Sequence, residues 1–127
     1  MCGINGIWNF DRKPIERKKI EMMNELLAHR GPDMSNIYIN DNVGLGHQRL
    51  SIIDVENGSQ PMSTEDGNLH IVYNGEVYNY KNLRIDLIKS GYTFNTNSDT
   101  EVVLKCYHKY NLSFLNKLRG MFAICIW

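Results

Sequence analysis

Residues 69–91 read LHIVYNGEVYNYKNLRIDLIKSG, and the division of this stretch decides the fold. Its first part, Leu69 to Gly75, is a short run dominated by apolar and β-prone residues that ends on Asn-Gly, the pattern of a strand bounded by a turn signal. From Asn79 the period lengthens: Tyr80, Leu83, Leu87 and Ile88 fall on one face at helical spacing, and Gly91 suits the end of that helix. Upstream, Gly3 to Phe10 reads as a short strand. The stretch 13–33, KPIERKKIEMMNELLAHRGPD, predicts an amphipathic helix with Ile20, Met23, Leu26 and Leu27 on its apolar face. Pro14 suits its first turn, and Gly31-Pro32 its stop. Residues 36–40 and 43–54 predict two strands around a tight Asp41-Asn42 turn, followed by a polar loop of turn formers over 55–68.

Downstream, Tyr92 to Thr96 predicts a short strand. Ser98 to Asn111 starts with Ser-x-x-Glu, a capping box, and carries Val103, Cys106, Tyr107 and Tyr110 along one side. Residues 113–120 predict a helical turn or two, and Met121 to Trp127 a buried strand. Strands joined by hairpins and mixed with two or three helices make an α+β layered sandwich, not a doubly wound parallel sheet. The strongly apolar last strand carries the further expectation that the residues covering it lie outside this chain.

With 127 residues the chain is long enough for one domain with a core. Lys plus Arg and Asp plus Glu number 14 each, which leaves no global field aimed at nucleic acid or an anionic membrane. The longest apolar run is far below the ~20 residues that cross a bilayer, and no signal-peptide pattern opens the chain. Three cysteines, Cys2, Cys106 and Cys125, without paired spacing point to a reducing, cytoplasmic setting over a disulfide scaffold. Neither a His-x-x-x-His pair nor a Cys-x-x-Cys is present, which argues against zinc. Gly44 and Gly46 lack the following Lys-Ser/Thr of a phosphate loop. His29 and His70 read as structural, and Cys106 and Cys125 as small hydrophobes.

Four features carry chemistry. Cys2 sits where loss of Met1 would leave one residue with both a thiol and the α-amino group. A thiol of ordinary pKa, about 8.5, needs a base, and an N-terminal amine titrating near about 7.7–8.0 can serve. Asn74 with Gly75 offers a side-chain NH₂ and an unobstructed backbone N–H, the two donors an oxyanion requires, although Asn-Gly is equally the commonest turn dipeptide. Arg49 lies in an apolar stretch and needs a partner, either an internal acid or the carboxylate of an amino-acid substrate. Asp99, in the first turn of a helix, either complements the helix dipole or pairs with a substrate ammonium.

Taken together, MCGI-x-G at the start, HRGPD at 29–33, GHQRLSIID at 46–54, YNGEVYNY at 73–80 and SDTEV at 98–102 resemble the glutaminase domain of glutamine-hydrolysing asparagine synthetases. These are class II glutamine amidotransferases of the N-terminal-nucleophile family. The resemblance spans the whole chain and implies a four-layer αββα sandwich, incomplete at the C-terminus. Residues 1–127 would then be a partial type 2 amidotransferase domain, with the synthetase domain absent.

It implies that Cys2 attacks the side-chain amide of L-glutamine and that Asn74 and Gly75 form the oxyanion hole. Arg49 would bind the α-carboxylate, Asp99 with Glu76 the α-ammonium, and the strand Arg49, Leu50, Ser51, Ile52 and Ile53 would line the pocket. HRGPD shapes the surroundings of the site without a chemical step. No cofactor is expected in this chain, because ATP and Mg²⁺ belong to the synthetase domain, the expected partner. The resemblance leaves room for a homodimer and gives no nucleic-acid or membrane partner. The competing readings are an inactive truncated remnant, a fragment that binds glutamine or a partner, and an amidotransferase domain serving a different acceptor.

Overall fold

The computed structural model describes residues 1–127. Strand β1 (Gly3–Trp8) is followed by helix α1 (Arg17–Leu26), then β2 (Met34–Asn40) and β3 (Val43–Arg49). After a loop holding the two-residue β4 (Met62–Ser63) come β5 (His70–Val77), α2 (Tyr80–Lys89), α3 (Asp99–Tyr110), a 3-10 helix (Asn111–Lys117) and β6 (Gly120–Ile126). The strands form two antiparallel three-stranded sheets, ordered β1-β3-β2 and β4-β5-β6. Helix α1 packs on the first sheet, α3 on the second with α2 beside it, and β1 and β3 meet β5 between them. The layers therefore run α, β, β, α.

The period of two along β5 sorts its residues between layers. Ile71, Tyr73 and Val77 join Leu87, Val102, Val103, Leu104, Cys106 and Phe114 in the main core beneath the helices. Val72 faces the other way, into a smaller cluster with Val43 and Leu45 between the sheets. Each fully buried aliphatic side chain here contributes about 1.5–3 kcal/mol. The same alternation on β3 turns Val43, Leu45, His47 and Arg49 toward the second sheet, and Gly44, Gly46 and Gln48 toward α1. A Cβ at Gly46 would stand 2.4 Å from Asn24 Oδ1 and 2.5 Å from Asn5 Oδ1, so a side chain there would displace the Asn5–Asn24 amide pair that joins β1 to α1.

Several expectations are corrected. Helix α1 starts at Arg17, downstream of Pro14, and its buried positions are Ile20 and Asn24, while Leu26 is 77% exposed. Asn24 is buried because its amide donates to Ser35 Oγ and to the Asn36 carbonyl, both at 3.0 Å, and accepts from Asn5. On α2, Ile88 is exposed; Gly91, at φ +92°, ends the helix through Gly91 N–H to the Ile88 carbonyl and Tyr92 N–H to the Leu87 carbonyl.

Residues 92–96 form no strand, because the backbone N–H groups of Asn95 and Thr96 donate to the Glu101 carboxylate and not to a neighbouring strand. Ser98 Oγ caps α3 by accepting from Glu101 N–H. The strand predicted over 43–54 stops at Arg49. The strand predicted to end on Asn74-Gly75 runs through that pair to Val77, because β6 pairs with it there, Asn74 opposite Ala123 and Gly75 opposite Phe122. β6 is buried on one face only: it pairs with β5 alone, Ile124 and Ile126 pack on the main core, and the other face stays open, with Met121 67% exposed. At one end, Trp127 packs edge-on against Trp8, centroids 5.3 Å apart.

Candidate active site

A cavity of about 450 Å³ opens at the end of β3, along residues 73–76 inside β5 and at the start of α3. It brings together Cys2, Arg49, Leu50, Ile52, Ile53, Asn74, Gly75, Glu76 and Asp99, along with Met1, Gln60, Tyr73 and Thr100. Ser51 is the one predicted site residue outside the lining; its N–H donates to Asp33 Oδ2 at 2.7 Å.

Cys2 precedes β1 and stands against the end of β3. Its Sγ lies 3.4 Å from Leu50 N, which donates to it, and 3.6 Å from the Leu50 carbonyl. Arg30 Nε donates to the Cys2 carbonyl at 3.0 Å. The turn HRGPD is thus a clamp: Arg30 holds the residue that bears the thiol, Asp33 holds Ser51, and Asp33 N–H bonds the Arg49 carbonyl. A Cβ on Gly31 would sit 2.4 Å from the Gln48 carbonyl oxygen, so the glycine serves close approach to β3 and not a helix stop.

Arg49 is 3% exposed and forms no ion pair. Nη1 donates to the Val55 carbonyl at 2.8 Å, and Nη2 to those of Asp54 at 2.6 Å and Ile53 at 3.3 Å. These carbonyls curl the chain around the guanidinium and end the strand. The alternative of an internal acid does not occur, and the fork expected to take a carboxylate at two points is closed on backbone oxygens. Those oxygens are neutral and no carboxylate lies within ion-pair distance, so the guanidinium charge is met only at longer range, by the Asp54 carboxyl that it helps to lower. Asp54, at φ +46°, anchors the curl by accepting from Asn97 N–H and from Asn57, contacts that hold its carboxyl below the usual range.

Asp99 is 5% exposed, and its Oδ2 accepts from Tyr73 Oη at 2.8 Å and Val77 N–H at 3.1 Å. Tyr73 is itself fixed: its N–H donates to Gln60 Oε1, and Gln60 Nε2 donates to Thr100 Oγ1. His47, fully buried between the sheets, bonds the Tyr73 carbonyl through Nε2 at 3.3 Å. Burial, aided by the nearby Arg49 charge and opposed by that bond, lowers its pKa to about 4, so the ring is neutral and Nε2–H is the donor. Burial pushes the Cys106 thiol up to about 11, and partial burial pushes the Cys125 thiol upward, away from the low pKa of a reactive cysteine. Cys125, expected as a small hydrophobe, is exposed because it lies on the open face of β6.

Sequence reasoning passed over Arg30, Gln60 and Tyr73. Arg30 lay within a quoted motif and Tyr73 directly before Asn-Gly; nothing local marks Gln60 in its polar loop. No three His, Cys, Asp or Glu side chains converge as a metal site would need, and no helix is long and apolar enough to cross a membrane.

Comparison with known proteins gives the arrangement its family. The whole chain, residues 1–127, matches the family described as glutamine amidotransferase domain. It is 49% identical over 132 residues to asparagine synthetase [glutamine-hydrolyzing] 1 of Bacillus subtilis, covering 100% of this chain and 21% of that protein. Identity is 41% to asparagine synthetase B of Escherichia coli, covering 100% and 23%, and 41% to amidase chry2 of Gibberella zeae, covering 100% and 21%. The chain thus spans about a fifth of the length of these relatives.

Among solved structures, glutamine phosphoribosylpyrophosphate amidotransferase from B. subtilis, complexed with ADP and GMP, superposes with a TM-score of 0.78 at 22% identity. The match covers 98% of this chain and 34% of that one, and at this identity it speaks for the fold alone. The fold is the αββα sandwich of the N-terminal-nucleophile hydrolases, and the chain belongs to the glutamine amidotransferase domain family, related to the glutamine-hydrolysing asparagine synthetases.

Proposed function

We propose that this chain hydrolyses the side-chain amide of L-glutamine through Cys2. The observation that carries the reading is the meeting, around one cavity, of a thiol, the Asn74-Gly75 pair of β5, a guanidinium and a carboxylate, neither of the last two in an ion pair. Free glutamine has a reactive carbonyl, a carboxylate and an ammonium, and each finds a counterpart.

In the chain as written, the α-nitrogen of Cys2 lies in a peptide bond with Met1. Removal of Met1 frees an amine that takes the thiol proton as sulfur attacks the amide carbon. The oxyanion is met by Asn74 Nδ2 and Gly75 N–H. The amine returns the proton to the departing nitrogen, ammonia leaves, and a γ-glutamyl thioester remains. Water, deprotonated by the same amine, then releases glutamate and restores the thiol. Arg49 supplies charge and its unengaged N–H groups to the α-carboxylate, while Asp99 and Glu76 receive the α-ammonium. Such a thiol must stay unoxidised, which fits a reducing compartment.

Residues 1–127 would act as the amidotransferase part of a longer enzyme in which the ammonia passes to asparagine formation, as the names of the bacterial relatives suggest. A second reading, delivery to a different acceptor, is supported by the equal identity to amidase chry2. The test is glutamate release from glutamine by the chain and by its Cys2→Ala variant, with intact mass confirming loss of Met1. Release only from the processed, unsubstituted chain is expected; equal release from both refutes the reading.

A further inference from the structure

We propose that Tyr73 is the positioning residue that makes this cavity selective for an α-amino acid, by fixing the Asp99 carboxylate so that a single oxygen, Oδ1, is offered to the ligand's ammonium. The inference rests on the glutamine-site reading and assigns a role to a residue that reading leaves idle.

Both donors to Asp99, the Tyr73 hydroxyl and the Val77 N–H, converge on Oδ2. The carboxylate cannot rotate without losing both. Oδ1 receives no hydrogen bond from the chain, and it is not one of the fully buried atoms without a partner, which are Asn5 Oδ1 and His47 Nδ1. It therefore opens to the cavity that Asp99 lines. No lysine or arginine pairs with Asp99. As the first residue of α3, Asp99 meets the helix dipole and two neutral donors but no ionic partner, and the group that completes such a nearly buried carboxylate is a cation carrying several N–H bonds.

Tyr73 cannot drift to satisfy anything else. Its backbone N–H is held by Gln60, its carbonyl by His47, and its ring lies in the main core. Burial and the Asp99 charge push the phenol far above its ordinary pKa, so the hydroxyl remains a donor at every working pH. A ligand without the α-amino group would leave Oδ1 desolvated and unpaired, the situation by which sites reject analogues most strongly.

The test is equilibrium binding of L-glutamine to the chain carrying Cys2→Ala, alone and with Tyr73→Phe, Asp99→Asn or both. Tyr73→Phe conserves shape, and loss of one hydrogen bond to a charged group is expected to weaken glutamine about tenfold. If Tyr73 acts through Asp99, the variant with both changes binds no more weakly than Asp99→Asn alone. Glutaramate, which is glutamine without its α-amino group, provides an arm that needs no Asp99 variant. Followed by ligand NMR, its affinity should stay within about twofold on Tyr73→Phe.

Unchanged glutamine affinity on Tyr73→Phe, an equal loss for both ligands, or losses that multiply with Asp99→Asn would each overturn the assignment. Absence of any glutamine binding removes it together with the reading beneath it. Binding without glutamate release from the Cys2 chain removes only the hydrolysis.

Discussion

His47 gives the structure a pH signature that can be worked out in advance. The ring is buried between the sheets, bonds the Tyr73 carbonyl just before the Asn74-Gly75 pair, and titrates at about 4 in the folded chain. In the unfolded chain a histidine titrates near about 6.5. The folded pKa is the lower one, so the unfolded state takes up the proton first and gains stability as pH falls. The loss begins near the unfolded value and is complete only at the folded one. Between pH 7 and pH 5 it amounts to about 2 kcal/mol, and by pH 4 to about 3 kcal/mol.

Carboxylates with lowered pKa values, such as Asp54, also lose stability on acidification, so the informative quantity is a difference. Urea unfolding of the chain and of His47→Gln, at half-unit steps of pH, isolates it. Glutamine retains an N–H for the Tyr73 carbonyl but has nothing to protonate. The gap between the two proteins should narrow by about 2 kcal/mol from pH 7 to pH 5. A gap that stays flat over that window refutes the neutral, buried ring.

Asn74→Ala removes one oxyanion donor and should lower kcat for glutamate release by about 10²–10³-fold with KM nearly unchanged; an unaltered kcat would put the oxyanion elsewhere. Gly31→Ala places a Cβ 2.4 Å from the Gln48 carbonyl oxygen and 2.6 Å from the Arg49 carbonyl carbon. It should cost roughly 2–3 kcal/mol in urea unfolding and slow glutamate release, because Arg30 and Asp33 reach Cys2 and Ser51 from the same turn; full stability would mean that the turn is loosely held.

What the sequence made legible was governed by local periodicity and by residue chemistry. The switch from period two to helical spacing between β5 and α2 is intrinsic to those residues, and the strand–helix division followed. Cys2, Arg49, Asn74 with Gly75, and Asp99 each carry an ordinary structural reading when taken singly and point to a site only as a set, and all of them line one cavity. The misreadings share a different cause. Leu50 to Ile53 keep a strand's apolar character, yet the chain bends there because the Arg49 guanidinium needs acceptors, and backbone carbonyls are invisible in a sequence. β6 is as apolar as a core strand, but apolarity does not say which layer lies over it. Gln60 is 13 residues from Tyr73 and 40 from Thr100, so its bridging place exists only once sheet and helix are assembled.

The charge layout of the cavity favours one class of ligand over others. Arg49 and Asp99 are both nearly buried and both line it, and the chain pairs neither with an opposite charge. Had stability alone shaped them, mutual pairing or apolar replacement would avoid the desolvation cost. Each is held instead by neutral dipoles, three carbonyls on the guanidinium and a phenol and an amide on the carboxylate. Neutral partners fix the position of a charge without cancelling it. A ligand with one charge would complete one residue and leave the other exposed to the same penalty, whereas a zwitterion completes both. On the proposed reading, the selectivity for a free amino acid therefore comes from two charges that the fold orients and declines to neutralise.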